Sequence, residues 1–149
     1  MRQIKLNLCI LSLLIFSVLQ LNSCGRTEDT VSCFPSAPIN VSISLNSFLN
    51  YANNLNNNGW TYVDIQGAGT RGLILVKTNS GYRAYDRNAP HICPDNETTL
   101  MVEYPYVICK KDNAKWILLT GEPNAVASLP LKSYPCYFDA NTNTIVVSY

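Results

Sequence analysis

Between residues 39 and 149 the apolar residues come in short runs, and turn-forming residues cut each run off before it reaches ordinary helix length. Ile39, Val41, Ile43 and Leu45 alternate with Asn40, Ser42 and Ser44, the period-two pattern of a strand with one face buried. Trp60 to Ile65 is rich in aromatic and β-branched residues. Leu73-Ile74-Leu75-Val76 is a continuous apolar run, Asn79-Ser80-Gly81 supplies a turn, and Tyr82 to Asp86 returns. Thr98 to Val102, Tyr106 to Cys109 and Trp116 to Leu119 are further short strand patterns, with turn chemistry at Lys111-Asp112-Asn113 and Thr120-Gly121-Glu122-Pro123. Tyr134 to Phe138, Asn141-Thr142-Asn143 and Thr144 to Val147 close the chain. Only residues 46–58 carry apolar side chains at helical spacing (Phe48, Leu49, Tyr51, Ala52, Leu55), and their asparagine content predicts one or two helical turns at most. Strands so short and so closely spaced predict an all-β antiparallel sandwich or small barrel, not a parallel α/β sheet.

Gly67-Ala68-Gly69-Thr70-Arg71-Gly72 matches the dinucleotide-binding spacing G-x-G-x-x-G. That motif functions only where its last glycine opens a helix facing the pyrophosphate. Here it runs into Leu73-Ile74-Leu75-Val76, so it reads as a glycine-rich turn between strands.

The N-terminus reads as an address. Arg2 and Lys5 precede an apolar run from Leu6 to Leu21, and Leu21-Asn22-Ser23-Cys24 has the aliphatic and small residues of a lipobox. Residues 1–23 are expected to be a lipoprotein signal peptide and Cys24 the acylated residue. Residues 24–38 then form the lipidated Cys and a polar tether, and residues 39–149 one domain. Several acyl chains on one residue hold a protein at a membrane almost permanently, so the domain needs no spanning element of its own. The expected location is a bacterial cell envelope, outside the cytoplasm, with the outer membrane the expected anchor site. Losing Arg2 and Lys5 leaves nine basic and ten acidic residues, a near-neutral balance that offers nucleic acid no electrostatic footprint.

Tyr82-Arg83-Ala84-Tyr85-Asp86-Arg87, then Ala89-Pro90-His91, then Cys109-Lys110-Lys111-Asp112-Asn113-Ala114-Lys115-Trp116, then Thr120-Gly121-Glu122-Pro123 come in an order that resembles the Rieske iron–sulfur domain. The match runs over residues 39–149 and most clearly over 82–149. More narrowly, the chain resembles lipoproteins of flavobacteria and their relatives that keep a Rieske-like fold. The resemblance implies a Rieske-like sandwich with two ligand-type loops and, in the family, electron transfer through a [2Fe–2S] cluster held by Cys-x-His and Cys-x-x-His. Carried over position by position, His91 and Cys109 stand where ligands stand. Ala89 stands where a Cys belongs and has no donor atom. Asp112 stands where a His belongs and offers hard oxygen to iron bonded to soft sulfide. No cofactor is therefore expected. The alternative is a modified [2Fe–2S] or mononuclear metal site, zinc included, assembled from His91, Cys93, Cys109 and Asp112.

With Cys9 removed and Cys24 acylated, Cys33, Cys93, Cys109 and Cys136 remain, and four cysteines allow three pairings. The resemblance puts Cys93 and Cys109 on the two loops that close over the family's cluster. A Cys93–Cys109 bridge is thus expected, with Cys33 joined to Cys136; free buried thiols are the other possibility. His91 is the only histidine, and a Cys–His nucleophile would need a free thiolate beside it. The function expected is that of a non-catalytic, membrane-anchored binding or structural module, not an enzyme. Its partner is a protein or small molecule of unknown identity. The alternative function is redox or metal-dependent electron transfer.

Overall fold

The structure, a computed structural model, describes residues 30–149. The expected signal peptide, Cys24 and the first part of the tether lie outside the described residues. No helix among the described residues is long and apolar enough to cross a membrane.

Among the described residues, eleven strands form three antiparallel sheets. The first sheet orders β1 (Asn40–Ser44), β11 (Thr144–Ser148) and β10 (Cys136–Asp139). The second orders β2 (Trp60–Val63), β3 (Leu73–Thr78), β4 (Gly81–Asp86) and β9 (Ser133–Tyr134). The third orders β5 (Leu100–Glu103), β6 (Tyr106–Cys109), β7 (Lys115–Ile117) and β8 (Pro123–Ala125). The all-β expectation holds.

β3 explains the continuous Leu73-Ile74-Leu75-Val76 run. All four residues are fully buried because both faces of the strand are covered. Side chains alternate across a strand, so Leu73 and Leu75 enter one core and Ile74 and Val76 the other. The register extends this division across the second sheet. Thr61, Leu75, Ala84 and Tyr134 form a row against the first core, whereas Tyr62, Ile74 and Tyr85 form a row against the second. The first core is completed by Ile43, Ile145 and Val147 of the first sheet and Leu55 of the helix, the second by Leu100, Val107 and Trp116 of the third sheet.

The helix α1 (Leu49–Asn57) is longer than its asparagine content predicts. Leu55 is buried, and Phe48 stacks on Tyr51 with ring centroids 5.3 Å apart. Asn54 donates to Thr61 Oγ1 and Asn56 accepts from Lys77 Nζ, so these amides bond across to the second sheet instead of competing for the helix's own backbone.

Tyr134 to Phe138, expected as one strand, is two. Pro135 lacks the N–H that a ladder needs, and there the chain leaves the second sheet and enters the first.

The 67–72 segment is a turn, as its context implied. A Cβ on Gly72 would lie 2.5 Å from Asp64 Oδ1 and 2.8 Å from Val63 O, so the chain can enter β3 only with glycine there.

The two-sided burial of β3 yields a direct test. Ile74→Ala and Leu75→Ala should each lower the unfolding free energy by about 2–5 kcal/mol, because each empties a different core. Urea denaturation measures both. A loss below about 1 kcal/mol at either position would mean that one of the two faces is not packed.

Candidate functional site

Two loops meet at one end of the second core. The first, residues 87–99, joins β4 to β5; the second, residues 110–114, joins β6 to β7.

The first loop is held at its base by a buried polar network. Asp86, fully buried at the end of β4, accepts hydrogen bonds from Asn88 N (2.8 Å), Thr70 N (2.8 Å) and the Tyr134 hydroxyl (2.7 Å). Three donors satisfy a carboxylate that no salt bridge reaches among the described residues. Burial first, and then the Asp86 carboxylate, push the Tyr134 phenol far up, so it remains a donor. Asn88 Nδ2 donates to Ala89 O, and Thr98 Oγ1 donates to Asn88 Oδ1 at 2.6 Å. Ala89 N donates to Thr98 O and Leu100 N to Arg87 O, which zips the two stems together.

The second loop is a tight turn in which Asn113 takes φ +62°, a conformation asparagine tolerates. Asn113 N donates to Cys109 O, and Cys109 N to Ala114 O. Asp112 Oδ1 accepts from Ala114 N at 3.1 Å, which fixes the carboxylate and presents Oδ2 to the first loop.

There Asp112 Oδ2 meets His91 Nε2 at 2.6 Å. The imidazole ring leans on Trp116, centroids 5.5 Å apart, and its Nδ1 is buried without a partner among the described residues. Burial opposes ionisation of Asp112, but hydrogen bonds from His91, Ala114 and Cys109 outweigh it and hold the carboxyl below its ordinary value. Cys109 is fully buried at the end of β6. Burial pushes its thiol up, and the neighbouring Asp112 adds to that against the opposing Lys111 amide. A second pair, Lys111 with Asp95, joins the loops farther out.

Of the residues singled out from sequence, His91, Cys109 and Asp112 therefore come together, and Ala89 lies close by, fully buried in the second core. Cys93 does not join them. It is bonded to Cys33, with Cα atoms 5.4 Å apart. The expected Cys93–Cys109 and Cys33–Cys136 pairings are thus corrected: Cys109 and Cys136 are free. Direction is the cause. Cys109 points into the core, whereas Cys93 and Cys33 lie exposed on the outside of the first loop. Cys136 packs against the first core, and burial pushes its thiol up to about 11. Both free thiols stay protonated and weakly reactive near neutral pH.

The segment 30–38, assigned to the tether, is bound to the domain. Val31 N donates to Pro90 O, Phe34 is buried, and Cys33 is covalently tied to the first loop. Asp86, Asn88, Thr98 and the Lys111–Asp95 pair went unnoticed in the sequence. A polar triplet, Asp86-Arg87-Asn88, ending an apolar strand was the available signal.

A [2Fe–2S] cluster of the Rieske type does not fit this donor set. Ala89 supplies no ligand atom, the Cys93 sulfur is in a bridge, and His91 Nε2 is taken by Asp112. Among the described residues, no group of three or more His, Cys, Asp or Glu has metal-binding geometry.

No protein-family model and no curated protein sequence matches the chain. Among solved structures it is similar to the ferredoxin of carbazole 1,9a-dioxygenase from Nocardioides aromaticivorans IC177, at 20% identity and a TM-score of 0.39. The match covers 60% of this chain and 83% of that one.

The bridge spans 60 residues of sequence, for which the chain-entropy model gives about 4 kcal/mol. Cys33→Ser and Cys93→Ser should each lose about that much in oxidising buffer. Cys109→Ser and Cys136→Ser should leave the crosslinked Cys33–Cys93 peptide intact in a mass-spectrometric map. A crosslinked Cys93–Cys109 peptide would refute the pairing.

Asp112 generates a pH prediction. Its folded pKa lies below the ordinary 3.8, so its contribution to stability is complete above that value and is lost as pH falls through the depressed one. Asp112→Asn should be less stable than the wild type near about pH 6, with the gap closing towards about pH 2. A gap independent of pH in urea melts would refute an ionised Asp112–His91 contact.

Proposed function

We propose that the chain is a cell-envelope lipoprotein, anchored through Cys24, whose Rieske-like domain works without an iron–sulfur cluster as a non-catalytic binding or structural module. The observation that carries this reading is how the ligand positions are used. Ala89 is a packing residue of the second core, and Cys93 fastens residues 30–38 to the first loop. His91 and Asp112 join the loops to each other, so contacts between side chains take over the bridging that a metal centre performs in the family. One buried, protonated thiol, Cys109, remains, too little for a two-iron centre that needs four ligands.

The rival reading, a modified site built from His91, Cys93, Cys109 and Asp112, requires the Cys33–Cys93 bridge to open and His91 to leave Asp112. The same buried thiol argues against a Cys–His nucleophile, since Cys109 is held protonated beside a carboxylate and not beside a base that would ionise it.

Protein purified from iron-supplemented cells should be colourless, with no stoichiometric iron or acid-labile sulfide and no electron paramagnetic resonance signal after reduction. A brown preparation with two irons per chain would overturn the proposal. Lipidation is tested separately: the membrane-bound form should lose its acyl mass, and its membrane association, on Cys24→Ala.

A further inference from the structure

An open cleft of about 490 Å³ crosses both loops, and three cationic side chains line it. Arg87, Lys110 and Lys111 line it, with the Asn96 amide and the Thr99 hydroxyl between them. Arg87 lies over the Tyr62 ring at 3.8 Å, which fixes its guanidinium plane, and bonds Asp64 through Nη1 and Leu100 O through Nε. Its Nη2 carries no hydrogen bond among the described residues. Lys110 is exposed and forms no ion pair among the described residues. Lys111 is paired only with Asp95, in a surface contact of the kind an anionic ligand displaces at little cost. A fixed guanidinium with a spare Nη2, a free ammonium and neutral donors lining one cleft are groups that bind phosphate oxygens. Glu97 also lines the cleft, and Asp64 and Asp95 already offset Arg87 and Lys111, so the charge balance suits a single phosphate ester and not a polyphosphate.

The position of the cleft indicates the source of that ester. Val31 and Cys33 are tied to the loop that carries Asn96, Glu97 and Thr99. Cys24 lies seven residues before Val31, a stretch that even fully extended spans at most about 25 Å. An acylated Cys24 therefore keeps the loop end of the domain near the bilayer. We propose that this cleft binds the phosphate of a membrane-lipid headgroup and seats the loop end of the domain on the membrane surface. The choice of a lipid as source rests on the lipoprotein reading above; the phosphate chemistry of the cleft does not.

The experiment uses the full chain in neutral detergent micelles and follows backbone amide resonances. Glycerol phosphate in solution, and separately phosphatidylglycerol added to the micelles, should each shift Asn96, Thr99 and Lys110 in a saturable way. Lys110→Glu should weaken both responses roughly tenfold or more. Thr99→Val, which leaves every charge in place, should weaken them less. Saturation with glycerol phosphate but not with the lipid would overturn the headgroup as source. Saturation with neither, or shifts that Lys110→Glu leaves unchanged, would overturn the site. Loss of acylation at Cys24 is read independently by mass, so a failed anchor and a failed cleft give different results.

Discussion

Two-sided burial of β3 is the constraint on which the molecule depends. A strand with one wet face would need only one partner layer, whereas Leu73 to Val76 must be covered above and below. That requirement draws the first sheet and α1 onto one side and the third sheet onto the other. A domain of this size thus divides its apolar residues between two modest cores. The site sits at the end of the second core because the loops after β4 and β6 both emerge there.

Rigidity at the site comes from polar groups below the surface. Asp86 is a buried acceptor with three donors from three separate segments, the glycine turn, the first loop and Tyr134 of β9. Such a network is costly if half satisfied and specifying when complete. It aims the first loop, and the second loop's Asx-type turn aims Asp112. The imidazole–carboxylate contact results from these two settings. The outer Lys111–Asp95 pair is exposed and adds little energy, but it carries loop-to-loop charge contact to the rim of the cleft.

Strand positions were legible because alternation, turn residues and the buried run act locally. The glycine segment was legible for the same reason: Gly72 leads into a strand and not a helix. The meeting of His91, Cys109 and Asp112 could be anticipated only through a family likeness, since the first and last of these are 21 residues apart. The cysteine pairing could not be read at all from order along the chain. Cys33 finds Cys93 because residues 30–38 fold back along the first loop, and Cys109 is withheld because its strand turns it inward. The helix outgrew its expected length because Asn54 and Asn56 found partners on another element.

By itself the sequence determined the all-β class of residues 39–149, the place of their short strands and turns, and a short helical segment within residues 46–58. These are properties of local composition and spacing, which act over a few residues. Tertiary structure alone decided which sulfurs bond, which carboxylate is buried, and which cations line one cleft. Each of those depends on the direction of a side chain relative to segments distant in sequence, and that direction exists only after the sheets have packed.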